Sequence, residues 1–239
     1  MIRVAAVGDV HYGVRSRGHL RPQFEALQGK ADLLLLAGDL TQQGAIEEIH
    51  ALVDDLRAVP VPIVAVLGNH DYHTDHERDL SQVLQDFGVH VLEGSSIVLR
   101  IENRSVGVVG IKGFGGGFAG ACITPFGEHE MKAFANHSRV QAEILRTRLG
   151  ELKADFRFVL THFSPVEATL LGEKREIYPF LGSYLLAEAI DSAGADAAFH
   201  GHAHLGTERG STPGGVPVRN VAQPVIRHAY NIYTFEERR

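Results

Sequence analysis

The chain has one cysteine, Cys122, among 239 residues. An intramolecular disulfide is therefore excluded, and a reducing compartment that keeps thiols free is the expected setting. Apolar runs of the roughly 20 residues that a membrane-spanning helix needs are missing as well. The first residues, Met1 to Val7, enter a strand-like segment directly, with no leader pattern ahead of them. Together these absences lead us to expect a cytoplasmic protein without a membrane partner. Positive charge is also scarce: 23 Lys and Arg face 29 Asp and Glu, a formal net charge of −6. General nucleic-acid binders are usually basic, so nucleic acid is not the expected partner. An anionic substrate stays compatible, because bound divalent ions stand outside that sum and would dominate the local field. Repeats, low-complexity tracts and linkers are missing too, which predicts one domain over residues 1–239.

What is present is a regular alternation of buried strands and amphipathic helices. Short apolar runs at 2–7, 33–37 and 63–67 read as strands covered on both faces. Segments at 20–27, 45–58 and 80–87 have apolar residues at helical spacing. Such alternation implies right-handed crossovers and a parallel sheet. The rhythm then changes to closely spaced strands at 89–92, 97–101 and 106–111, which suggests antiparallel or mixed pairing. A glycine-rich loop follows at 113–120, and a helix at about 138–149. Strands at 158–160, 197–199, 217–221 and 232–235 complete the α/β pattern.

Five polar islands follow buried runs: Asp9-Val10-His11, Gly38-Asp39, Gly68-Asn69-His70-Asp71, Thr161-His162 and Gly201-His202-Ala203-His204. Open α/β folds place their chemistry where loops leave the carboxyl ends of strands. A carboxylate buried just past a strand is costly unless it is paired or bound to a cation. Asp9 and Asp39 both sit there, and one carboxylate can bridge two metals about 3.5–4 Å apart. His11 lies two residues beyond Asp9, and His202 and His204 repeat that spacing. In extended backbone such a pair leaves on one side. Imidazoles mixed with carboxylates suit manganese, iron or zinc better than calcium. Asn69 would add a neutral oxygen ligand. His70 would point past the metals and could hydrogen-bond a phosphoryl oxygen or protonate a leaving alkoxide. Asp71 could orient and charge that imidazole.

The blocks D-x-H, G-D, G-N-H-[DE], H and G-H-x-H stand in the order of the calcineurin-like metallophosphoesterase superfamily, which the chain resembles from Asp9 to His204. The resemblance implies a four-layer α-β-β-α sandwich, with two mixed sheets between helices and a two-metal centre at the sheet edge. It assigns Asp9, His11, Asp39 and His204 to one metal ion. Asp39, Asn69, His162 and His202 go to the other, and His70 is the catalytic histidine. The implied reaction is hydrolysis of a phosphodiester or phosphomonoester by a metal-bound hydroxide.

The second block carries Gln43 where protein phosphatases of the superfamily have an arginine, which points away from that branch. The block from Thr161 to Pro165 and the compact length look more like bacterial phosphodiesterases and phosphatases, including class III cyclic-nucleotide phosphodiesterases. For the substrate, a small phosphate ester, His73, Phe114 and Phe118 are the candidate contacts, from loops beside the motifs. Lys112, Arg15 and Arg17 are candidate phosphate contacts, though they read more readily as solvated surface charges. The alternatives on the same fold are a nuclease, which would need a basic stripe, and a non-catalytic scaffold, which would have lost ligands that are all retained here.

Overall fold

The computed structural model describes residues 1–237 of the chain. Its short apolar runs become the central strands of two facing sheets. The first sheet has the order β13-β1-β2-β3-β4, formed by β1 (Ile2–Val7), β2 (Leu33–Ala37), β3 (Ile63–Val66), β4 (His90–Val91) and β13 (Asn231–Phe235). All its pairings are parallel except β1 with β13. Every residue of β2 is buried, as a strand covered on both faces requires.

The second sheet has the order β11-β12-β10-β9-β6-β5. Its strands are β5 (Ser95–Ile101), β6 (Arg104–Ile111), β9 (Phe156–Thr161), β10 (Ala197–His200), β11 (Arg209–Ser211) and β12 (Pro217–Asn220). The inner strands pair in parallel, and β5 and β11 close the edges antiparallel. Edge strand β5 alternates between half-buried and exposed positions, turning Ile97, Leu99 and Ile101 inward. A small hairpin, β7 (Gly117–Phe118) with β8 (Ala121–Cys122), forms inside the glycine-rich segment that the sequence presents as a loop.

Three layers of core hold these sheets between helices. Ile2, Val4, Leu33, Leu35, Val64, Val108, Phe156, Phe158 and Phe199 fill the space between the sheets. The opposite face of the first sheet offers Ala5, Val7, Leu34 and Leu36 to α1 (Arg21–Glu25), α2 (Ile46–Leu56) and α3 (Glu77–Phe87). The outer face of the second sheet packs Val109, Ile111 and Val159 against α4 (His129–Glu151) and α6 (Tyr184–Ala193). The order of layers is thus α-β-β-α. Two single-turn helices, α5 (Tyr178–Leu181) and α7 (Gln223–Ile226), complete the set. Among the described residues no helix is long and apolar enough to cross a membrane.

Candidate metal centre

Register brings the islands together. Ala6 and Val7 of β1 stand opposite Leu35 and Leu36 of β2, so the loops beyond them run side by side. The Asp9 amide donates to the Gly38 carbonyl (2.9 Å) and the His11 amide to the Asp39 carbonyl (3.0 Å). On the second sheet, β9 ends at Thr161 and β10 at His200, and the Gly201 amide donates to the carbonyl of His162 (3.1 Å). The sheets then meet: the His162 ring is fixed by its Nδ1–H, which donates to the Ala37 carbonyl at 2.9 Å. The centre therefore draws on both sheets rather than on the edge of one.

Glycines in the motifs make room for this approach. A Cβ on Gly68 would stand 2.1 Å from Asp39 Oδ1, and one on Gly201 would stand 2.2 Å from Asp9 Oδ2. Only a residue without a side chain leaves the carboxylates where they are. The ligand backbone itself is bent: Asp9, His11, Asp39 and His202 all have positive φ, at 54°, 41°, 49° and 71°. They are four of the seven non-glycine residues with positive φ among those described, and backbone strain of this kind collects at functional sites.

Two groups of donors result. One ligand atom each from Asp9, His11, Asp39 and His204 lie within 4.8 Å of one another, and so do those of Asp39, His162 and His202. Asp39 belongs to both groups. Asn69 Oδ1 joins the second, 2.9 Å from His162 Nε2. Contacts inside the groups are close: His204 Nε2 to Asp9 Oδ1 is 2.9 Å, His11 Nε2 to His204 Nε2 is 3.3 Å, and His162 Nε2 to Asp39 Oδ1 is 3.3 Å. Asp9 and Asp39 are buried at 2% and 1% exposure, and no Lys or Arg pairs with either among the described residues. Buried carboxylates ringed by imidazoles, without a fixed cation, are the chemistry of a site for metal ions.

The protonation pattern agrees with ligation. Burial pushes the His162 imidazole down to about 3, so its ring is neutral with a free lone pair. Desolvation likewise lowers His202 and His11. His202 Nε2 donates to the Phe180 carbonyl (3.1 Å), which leaves Nδ1 as the nitrogen with a lone pair. Burial raises Asp9 to about 6, and the hydrogen bond to Asp9 raises His204.

His70 stands at the rim. Its Nδ1–H donates to the Gln42 carbonyl (2.7 Å), its amide donates to Asp39 Oδ1 (2.8 Å), and Nε2 is 3.9 Å from Asp39 Oδ2. The ring lies 4.4 Å from that of His11. Asp71 is not the partner of this imidazole. Its fully buried carboxylate accepts from the amides of Leu40 (3.1 Å), Thr41 (2.8 Å) and Gly68 (2.8 Å) and from the Thr41 hydroxyl (2.6 Å). Burial lifts that carboxyl to about 6. Asp71 thus ties the loops after β2 and β3 to each other, and the carbonyl of Gln42 does the orienting. Nothing local in the sequence marks that carbonyl, since every residue has one.

The proposed substrate contacts divide. His73 lines a cleft of about 290 Å³ with Gln42, Gln43, Asn69 and His70. Phe114 is one ring away from the ligands: it packs on Phe163 (5.7 Å), which packs on His202 (4.4 Å). Phe118 is 4% exposed among Leu170, Tyr178, Leu181 and Ala203, so it supports the His202–His204 loop from within.

Comparisons with known proteins show the family and the fold. A family model described as calcineurin-like phosphoesterase matches residues 2–206, and the chain belongs to that family. The phosphopantetheinyl hydrolase of Mycobacterium tuberculosis is similar in structure, with a TM-score of 0.69 and 17% identity over 94% of this chain and 90% of that one. A putative 5′-nucleotidase from Staphylococcus aureus reaches a TM-score of 0.56 at 18% identity, over 92% of this chain and 48% of that one. A hypothetical protein from Thermus thermophilus gives 0.54 at 20% identity, over 92% and 75%. No curated protein matches the chain by sequence.

Proposed function

We propose that the protein is a dinuclear metal-dependent hydrolase of phosphate esters, and that phosphodiesters are its preferred substrates. The observation that carries this reading is the carboxylate of Asp39, common to two donor groups, with the His70 ring at their shared rim. Asp9, His11, Asp39 and His204 would hold one ion, and Asp39, Asn69, His162 and His202 the other. Bound cations of this kind supply Lewis acidity, which activates water and neutralises phosphoryl charge. Manganese, iron and zinc suit the mixed oxygen and imidazole donors.

The chain's own residues then do the rest. His70, anchored through Nδ1, presents Nε2 to a phosphoryl oxygen or to the departing alkoxide. Neutral Asn69 completes the second group without another negative charge. The cleft beside His70 is lined by Gln42, Gln43, Asn69 and His73, with no Arg or Lys. Such a lining suits the single charge of a diester better than the double charge of a monoester.

The test is hydrolysis of bis-p-nitrophenyl phosphate beside p-nitrophenyl phosphate by metal-free protein titrated with Mn²⁺. Metal-dependent cleavage of the diester is the expected result. A preference for the monoester would overturn the phosphodiesterase assignment, and no turnover of either with metal bound would overturn the hydrolase. Phosphopantetheinyl esters and 5′-nucleotides, which appear in the names of two structural neighbours, belong in the same panel.

A further inference from the structure

Lys112 follows β6 directly, and its backbone is bound to the ligand loop of the second sheet. Its carbonyl accepts from the amides of His162 (2.9 Å) and Phe163 (3.0 Å). The side chain, half-buried, does not extend into solvent as a surface lysine would. Its Nζ lies over the ring of Tyr72 at 3.9 Å and stands 5.9 Å from the ring of Phe114. Tyr72 is two residues beyond His70, and Phe114 backs the Phe163 ring that meets His202. The ammonium is thus held beside the centre by aromatic residues from the loops of both sheets.

Its charge is only partly answered. Nζ makes no hydrogen bond and no ion pair among the described residues. The Glu93 carboxylate acts on it through space but is engaged elsewhere, accepting from the Tyr72 hydroxyl (2.7 Å) and the Leu67 amide (3.3 Å). A ring face attracts a cation yet offers its three N–H donors no lone pair. Asp39 and Asp71 also act on it, so the ammonium lies within electrostatic reach of the centre. With metal ions bound, the charge of Asp39 would be taken up, leaving Glu93, Glu77 and Asp71 as the carboxylates that act on the ammonium through space. An ammonium fixed there, with its donors free, calls for an anion that the ligands themselves do not hold.

We propose that Lys112 binds a second anionic group of the substrate, carried on the part of the molecule that stays attached to the scissile phosphate, and thereby sets selectivity among phosphodiesters. The proposal rests on the phosphoesterase reading above. Tyr72 is a positioning residue, keeping the ammonium in place through its ring.

The test uses the metal-loaded protein and p-nitrophenyl phosphodiesters with one leaving group and a varied second ester arm: 2-phosphoethyl (anionic), ethyl (neutral) and choline (cationic). Wild type should favour the anionic over the cationic arm by about tenfold or more in kcat/KM, as a charge-assisted hydrogen bond warrants. Lys112→Gln should bring the two within about twofold, mainly through KM, Lys112→Glu should reverse the order, and Lys112→Arg should restore it. A Lys112→Gln protein that keeps the wild-type ratio overturns the proposal, as does a wild type with no preference for the anionic arm. Calorimetric binding of phosphonoacetate against methylphosphonate separates the two readings. Tighter binding of phosphonoacetate that is lost in Lys112→Gln, without turnover of any ester, would sink the hydrolase reading and leave the anion site standing. Equal binding of both ligands by wild type would remove the site.

Discussion

Replacing His70 and replacing Asp39 should damage the protein in different ways. The His70 ring makes its own bond to the Gln42 carbonyl and stays at the rim of both donor groups. His70→Ala should therefore lower kcat on a diester by about 10²-fold or more while leaving metal content near that of wild type. Turnover at the wild-type rate would remove His70 from the chemistry. Asp39 is shared, so Asp39→Asn should lose more bound metal than His11→Ala, whose ring serves one group. Elemental analysis after gel filtration decides this, and equal losses would contradict a bridging role. Asp71 belongs to a different category of residue. Its carboxylate satisfies three backbone amides and a hydroxyl in the interior, so Asp71→Ala strands buried donors. A cost of about 3 kcal/mol is expected, seen as a Tm lower by roughly 10 °C. A melting temperature unchanged by the substitution would show that the loops do not depend on it.

At the scale of elements, strands are easier to read than helices. The runs at 33–37 and 63–67 are short, apolar and ended by glycine-bearing islands, and they appear as β2 (Leu33–Ala37) and β3 (Ile63–Val66). The helix expected over about 138–149 extends much further upstream, starting at His129. Its first turns, His129 to Ala135, are largely exposed, and Phe134 there packs on the rings of Phe114 and Phe180 rather than on the sheet, so the apolar stripe that marks the later turns is weak. Helix α6 has a signal that periodicity alone passes over. Ser183 caps it, its hydroxyl accepting from the Leu185 amide (3.3 Å), and Gly194 ends it. The metal-ligand islands are legible because each is local: a strand and one or two donors, with a glycine beside them in all but the Thr161-His162 island. The partners of Asp71 and the place of Lys112 are not, because both depend on which loop lies across the fold. The same limit explains Phe118, which the glycine-rich segment offers as a substrate contact and which packing turns inward.

For the molecule as a whole, the two donor groups differ in how they compete with protons. A ligand must give up its proton before it binds metal. Asp9, raised to about 6, takes up a proton as the pH falls through that range, and His204, raised by its bond to Asp9, holds its proton more firmly than a free imidazole, so their group weakens on acidification. His162, held at about 3 by burial, and His202, lowered with it, remain neutral and keep their lone pairs. Acidification from pH 7 to 5 should therefore weaken the hold of the Asp9 and His204 group on its metal more than that of the His162 and His202 group. Metal-to-protein ratios after dialysis at graded pH check this, and loss of both ions in one step would contradict it. The centre also has a mechanical meaning. Its donors leave β1, β2 and β3 of one sheet and β9 and β10 of the other, beside direct bonds that also cross between the sheets: the Gly8 amide donates to the Val221 carbonyl (2.9 Å), and the Tyr233 hydroxyl donates to the Glu208 carboxylate (2.9 Å). An ion gripped from both sides would work as one more rivet through two plates, adding to those bonds against shear along the seam.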